Sequence, residues 1–299
     1  MKYIDFAKRT PDSQYHDVLQ SILDKGQWSD TRQGPRAKTL MGIQMHFNLA
    51  NGFPVITDRS IKSFWQKPIG ELCAFINGAR TREQLAAFGC TWWDAWTTEE
   101  KTKKRGLEPG DIGPGSYGAA FHDFPTADGG TFDQFKHLVE QIKELPELRT
   151  HFITPWIPQY IVRGKGKQQK VTIAPCHGWV HVRIFGGDKL HLHMYQRSGD
   201  MPIGVPSNMI QYAALALMLE HLTGYEAVEY VHTVSDAHIY EDQIEHLLPM
   251  MKREALRLPT VKLTAEGKKV TDIHDFRGEH FELSDYEPHP SIPKIPVAT

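Results

Sequence analysis

The chain has few cysteines, no long apolar run, no excess charge of either sign and no repeat, and each lack removes a class of protein. Three cysteines in 299 residues, Cys73, Cys90 and Cys176, are too few and too scattered for a disulfide framework, and the odd count leaves a thiol free. No stretch approaches the roughly 18 apolar residues of a transmembrane helix. The segment from Met1 to Arg9 lacks the apolar core of a secretory signal. A soluble protein of a reducing, cytoplasmic compartment is the expectation. The 34 Lys and Arg residues nearly balance 36 Asp and Glu, leaving a formal charge of −2. That balance argues against a nucleic-acid binder, whose surface must neutralise phosphates. It also argues against an acidic disordered tail and a polybasic membrane anchor. No glycine-rich fingerprint of a dinucleotide or NTP fold is present.

What the chain does have is 40% hydrophobic and 10% aromatic residues, ample for a core. With no linker-like or low-complexity stretch, residues 1–299 are expected to form one domain. The most loop-like part, 97–118, holds Gly106, Pro109, Gly110, Gly113, Pro114 and Gly115 and predicts a surface insertion. Phe132, Phe135, Leu138, Val139, Ile142 and Leu145 recur at helical spacing up to Pro146. Trp179 to Phe185 and Lys189 to Arg197 alternate around Gly186-Gly187-Asp188, a predicted hairpin. Met209 to Leu222 carries a wide apolar stripe closed by Gly224, a predicted buried helix. Glu229 to Val234 reads as a strand. The fold class is therefore α+β.

Four segments can carry chemistry. In Ala174-Pro175-Cys176-His177 a thiol follows the apolar run Val171-Thr172-Ile173, read as the end of a strand. A neighbouring cation would make that thiol a nucleophile, although isolated cysteines are more often small buried hydrophobes. In Gln196-Arg197-Ser198-Gly199-Asp200 a guanidinium and a hydroxyl at a strand end suit a phosphate, or form a surface Arg–Asp pair. Asn208, after Gly204-Val205-Pro206-Ser207, falls near a helix start, as an N-cap or as an amide that reads a base edge. Asp236, His238 and Tyr240 alternate, so an extended chain turns all three one way: a hydrogen-bonding comb for a sugar, or a solvated strand end. A rival reading takes His191-x-His193 with Cys176-His177 as zinc ligands. Further ligands at familiar spacing are missing, so no metal is expected.

In this order and spacing, the four segments resemble the thymidylate synthase family. The resemblance takes in Arg32 with Met41-Gly42-Ile43-Gln44-Met45, Gly70-Glu71-Leu72, Trp93-Asp94-Ala95-Trp96, Gly113 to Gly118 around Tyr117, and Pro288 through Thr299. It implies a large mixed β-sheet flanked by helices, one sheet face forming a homodimer interface. It further implies one-carbon transfer to dUMP from 5,10-methylenetetrahydrofolate. By resemblance, Cys176 adds to uracil C6, Arg197, Arg32 and Ser198 hold the phosphate, Gln196 is among the substrate-binding residues, Asn208 reads O4 and N3-H of uracil, and His238 and Tyr240 hold the 3′-hydroxyl. Glu71 organises proton transfers, Tyr117 helps remove the C5 proton, and His177 joins the waters near the base. Asp200 and Trp93 meet the pterin, Arg59 the glutamate tail, and the chain end at Thr299 closes over the folate. Arg149 matches the first of an arginine pair lent to the other subunit's phosphate, and Thr150 stands where the second belongs. Ser207 replaces an aromatic residue and Gly178 a larger one. Two products follow from the resemblance: dTMP if tetrahydrofolate supplies hydride, and 5-hydroxymethyl-dUMP if water adds instead. A catalytically silent nucleotide-binding protein is a third reading, which Cys176, Glu71 and Tyr117 together argue against.

Overall fold

A computed structural model describes residues 1–32 and 34–298. Ten strands lie among the described residues: β1 (Gln27–Ser29), β2 (Ala37–Asn48), β3 (Phe124–Pro125), β4 (Thr131–Phe132), β5 (Phe152–Ile153), β6 (Trp179–Phe185), β7 (Lys189–Asp200), β8 (Glu226–Tyr240), β9 (Thr260–Leu263) and β10 (Phe281–Ser284). The α-helices are α1 (Gln14–Lys25), α2 (Lys67–Ile76), α3 (Arg82–Ala86), α4 (Glu99–Lys103), α5 (Tyr117–His122), α6 (Gln134–Glu144), α7 (Pro158–Ile161), α8 (Gly204–Thr223) and α9 (Ile244–Leu247). No described helix is long and apolar enough to cross a membrane.

The main sheet runs β1-β2-β8-β7-β6-β5. Every neighbouring pair is antiparallel except β7 and β8. Parallel strands cannot be joined by a tight turn, and α8 is the crossover that links them. It packs on β7 and β8 from one side and meets α2 and α6 on the other. This sandwiching explains why the helix is apolar around its whole girth and buried from Val205 to Leu219 apart from Ser207. Gly224 ends it in the left-handed conformation, φ 82°, as its place after the apolar stripe predicts. Phe47, Phe75, Phe121, Phe135, Tyr212 and Tyr230 fill the space between the layers. The opposite face of β6 and β7, with His181, Arg183, His191, His193 and Tyr195, stays half open.

Two local readings need correcting. Val171-Thr172-Ile173 is not a strand: it bends, with Thr172 N–H donating singly to Ile112 O. Cys176 thus precedes a strand, β6, rather than ending one. Asn208 is not an N-cap either. Pro206 is tolerated in a first helical turn, so α8 begins at Gly204 and Asn208 lies in the second turn. Within 97–118, residues 98–109 are largely exposed and carry α4, and the chain beyond them runs inward, burying Ile112, Ser116 and Tyr117.

Candidate active site

The register of the parallel pair aligns two of the sequence motifs. Ser198 lies opposite Asp236, and Asp200 opposite His238. Strand alternation then presents Asp236, His238 and Tyr240 on a common side. There a cleft of about 980 Å³ opens, which brings together Arg32, Arg59, Glu71, Trp93, Cys176, His177, Gln196, Arg197, Ser198, Asp200, Asn208, His238 and Tyr240. Tyr117 sits behind the cleft wall, and Arg149 is exposed away from it. Thr299 lies outside the described residues.

The loop carrying Cys176 is clamped from two sides. Arg197 donates from Nε to Pro175 O at 2.7 Å and from Nη2 to Ala174 O at 2.8 Å, and the same Nη2 lies 3.3 Å from Cys176 Sγ. From below, the Cys176 N–H donates to Tyr117 Oη at 2.6 Å. Tyr117 is itself stacked between Phe75 and His177, with centroids 4.7 and 4.5 Å away. Burial pushes the Cys176 thiol up, and the Arg197 guanidinium opposes it; the cation stabilises the thiolate against its surroundings. His177 donates to or accepts from Tyr212 Oη at 2.7 Å, and burial holds it down to about 3. Its imidazole is neutral at physiological pH.

A line of side-chain amides runs along the cleft floor. His232 Nε2 is 2.9 Å from Gln196 Oε1, and Gln196 Nε2 donates to Asn208 Oδ1 at 2.9 Å. Asn208 Nδ2 donates to Gln211 Oε1 at 2.9 Å, and Gln211 Nε2 donates to Glu71 Oε2 at 2.7 Å. The other Glu71 oxygen, Oε1, accepts from Trp92 Nε1 and Trp93 Nε1 at 2.5 and 2.6 Å. Burial raises the Glu71 carboxyl despite these donors, which suits a group that must both hold and release a proton. Asn208 keeps one N–H and one oxygen lone pair for a ligand.

The family model described as thymidylate synthase matches residues 13–299. The chain belongs to the thymidylate synthase family. That is an enzyme family of one-carbon transfer to dUMP with methylenetetrahydrofolate. The six-stranded mixed sheet with its helices agrees with the thymidylate synthase fold.

Against the thymidylate synthase pattern, the remaining residues fall around the cleft as follows. His238 Nδ1 lies 3.3 Å from Asp236 Oδ1, and Ser198 Oγ donates to Asp236 Oδ2 at 3.4 Å. Arg59 is buried and donates to Pro202 O at 2.6 Å. Asp200 accepts from Ile203 N–H at 3.1 Å and from Gln243 Nε2 at 3.0 Å. The same Gln243 Nε2 donates to Pro296 O at 3.0 Å, tying the C-terminal segment to Asp200, and Ile292, Lys294, Ile295, Val297 and Ala298 line the cleft. Trp93, expected only against the pterin, also serves as a donor to Glu71.

Sequence reasoning misses Gln211 and a set of cations. Lys67, Lys101, Lys104, Arg105 and Arg163 all line the cleft with Arg32 and Arg197. No carboxylate of a described residue pairs with any of them. Arg163 is held below the usual guanidinium range by burial and by Arg105, Arg32 and Arg197, so these four guanidiniums repel one another. The zinc reading fails on geometry: His191 pairs with Glu229 at 2.8 Å and His193 with Thr233 Oγ1 at 2.8 Å, across the half-open sheet face.

Proposed function

We propose that the chain methylates dUMP reductively, giving dTMP and dihydrofolate from 5,10-methylenetetrahydrofolate. The observation that carries the reading is Cys176 Sγ lying 3.3 Å from Arg197 Nη2 in a cleft that the chain's own C-terminal segment lines. The Cys176 thiolate adds to uracil C6, and the electron pair moves to C5 and O4, where Glu71 and its hydrogen-bonded neighbours meet the developing charge. C5 then bonds to the folate methylene carbon as that carbon's bond to one of its two folate nitrogens breaks, leaving it attached to the folate through the other. Loss of the C5 proton, assisted at Tyr117, lets the folate nitrogen leave, and hydride from tetrahydrofolate completes the methyl group as Cys176 departs. A cleft walled by Ile295, Val297 and Ala298 excludes the water that would otherwise intercept the exocyclic methylene. One feature favours hydroxymethylation as the second reading: Ser207, small and polar, lines the cleft beside Asn208, where it leaves room for water.

The phosphate subsite is Arg197, Arg32, Arg163 and Arg105, with Ser198. A phosphate dianion relieves the repulsion among these guanidiniums. Arg163 and Arg105, from the chain itself, take the place of the cation missing at Thr150. Arg149 of one protomer reaches the cleft of the other across the half-open face of β6 and β7, which forms the homodimer interface. His238 and Tyr240 bind the sugar, and Asp200, Trp93 and Arg59 the folate. Incubation with 5-fluoro-dUMP and methylenetetrahydrofolate tests the nucleophile. A covalent ternary adduct that disappears in Cys176→Ser is expected; no adduct in the unaltered protein contradicts both readings.

A further inference from the structure

Away from the cleft, three segments converge on a second polar cluster. His122 ends α5, Asp133 caps α6, and His274 lies in the short 3-10 turn Ile273–Asp275. One ligand-capable atom of each lies within 4.8 Å of the other two. The outer ring nitrogens are both occupied: His122 Nδ1 is 2.9 Å from Asp123 Oδ1, and His274 Nδ1 is 2.7 Å from Asp272 Oδ1. In the neutral imidazole that a metal ion binds, a carboxylate on Nδ1 keeps the proton there and leaves the lone pair on Nε2. Both Nε2 atoms face the same oxygen, Asp133 Oδ2, at 3.8 and 2.9 Å. Asp133 Oδ1 is used separately, accepting the Lys136 N–H of the helix cap at 3.0 Å. His274 Nε2 is shielded from solvent, and despite its closeness to Asp133 it lacks an aligned hydrogen-bond partner.

Two imidazole lone pairs and a carboxylate oxygen around one point suit a divalent cation. Bonds of about 2.0–2.1 Å in tetrahedral array set ligand atoms roughly 3.3 Å apart, and the two distances to Asp133 bracket that spacing. We propose that His122, Asp133 and His274 form a structural site for a transition-metal ion of the zinc class, with Asp123 and Asp272 orienting the imidazoles. Two nitrogens and one oxygen match zinc better than calcium or magnesium, which take oxygen ligands. None of the three residues lines the cleft, so the ion would act on stability: it would pin the Ile273–Asp275 turn to the ends of α5 and α6.

The test uses the full chain, stripped with a chelator and titrated with Zn2+ by calorimetry and thermal melting. Asp133→Asn keeps an N-cap side chain while removing the charge, and His274→Gln removes a ligand. The unaltered protein should bind one more equivalent of Zn2+ than either variant and be the only one whose melting temperature rises with Zn2+. Asp272→Asn should weaken that binding about 10–100-fold. Equal stoichiometry and affinity in the unaltered protein and both variants, or no thermal shift with Zn2+, overturns the proposal and leaves the cluster an ion pair only.

Discussion

Gln211 donates to Glu71 Oε2 at 2.7 Å, and this one bond sets the direction of every hydrogen bond behind it. With its N–H given to Glu71, Gln211 has only its amide oxygen to offer Asn208. Asn208 then donates to Gln211 and accepts from Gln196, Gln196 accepts from His232, and Tyr230 Oη donates to His232 Nδ1 at 3.0 Å. The orientation of the Asn208 amide is anchored at Glu71, and so, if Asn208 reads the base as proposed, is a preference for uracil over cytosine. Gln211→Leu frees that amide to rotate. The ratio of kcat/KM for dUMP to that for dCMP should fall about tenfold, the value of a lost hydrogen bond. An unchanged ratio would show that Gln211 only fills space.

Arg163→Ala removes one of the four guanidiniums of the proposed phosphate subsite. A hydrogen bond to a charged group is worth about 1.5–3 kcal/mol, so KM for dUMP should rise about 10–100-fold while kcat changes much less. Steady-state kinetics at two salt concentrations check this, because the penalty shrinks as phosphate and cations are screened.

Gly178 has a φ of +100°, and a Cβ there would lie 2.8 Å from both Phe121 Cζ and Tyr212 Oη. Gly178→Ala therefore strains the backbone and pushes Tyr212 from His177. A loss of about 2 kcal/mol or more is expected in denaturant unfolding. This explains the small residue after Cys176-His177: Phe121 and Tyr212 occupy the space a larger one needs.

Asp200 is raised by burial from 3.8 to about 6. The folded chain therefore binds this proton more tightly than the unfolded chain does. Its contribution to stability is greatest below about pH 4 and is lost as pH rises through about 6. In Asp200→Asn that titration is gone. The melting temperature of the unaltered protein, measured relative to the variant, should fall between about pH 4.5 and pH 7; a difference independent of pH contradicts the assignment.

Regular periodicity is legible in this chain, and convergence of loops is not. The β6–β7 hairpin and α8 follow from alternation and from an apolar stripe ended by Gly224, because local geometry decides them. The Asn208 cap does not, since Pro206 favours neither one helix start nor the next. Gln211 reads as a polar interruption in an apolar helix; its one signal is its spacing of three from Asn208, which puts both on one helical face. Lys101 lies on the short helix α4, and Lys104, Arg105 and Arg163 in irregular segments; where all four end up depends on packing, so nothing in their spacing shows that they line the cleft with Arg32 and Arg197. Cys176, Arg197 and Asn208 are recognisable because four motifs agree in order, and Glu71 because the resemblance extends to Gly70-Glu71-Leu72.

Reductive methylation is decided by the fate of the one-carbon unit at the cleft lined by Ile295, Val297 and Ala298. Purified protein incubated with dUMP and methylenetetrahydrofolate, with dihydrofolate followed by absorbance and nucleotides by mass, tests it directly. The account predicts dTMP and dihydrofolate in equal amounts. Conversion of dUMP to a hydroxymethyl product with no dihydrofolate formed would contradict it.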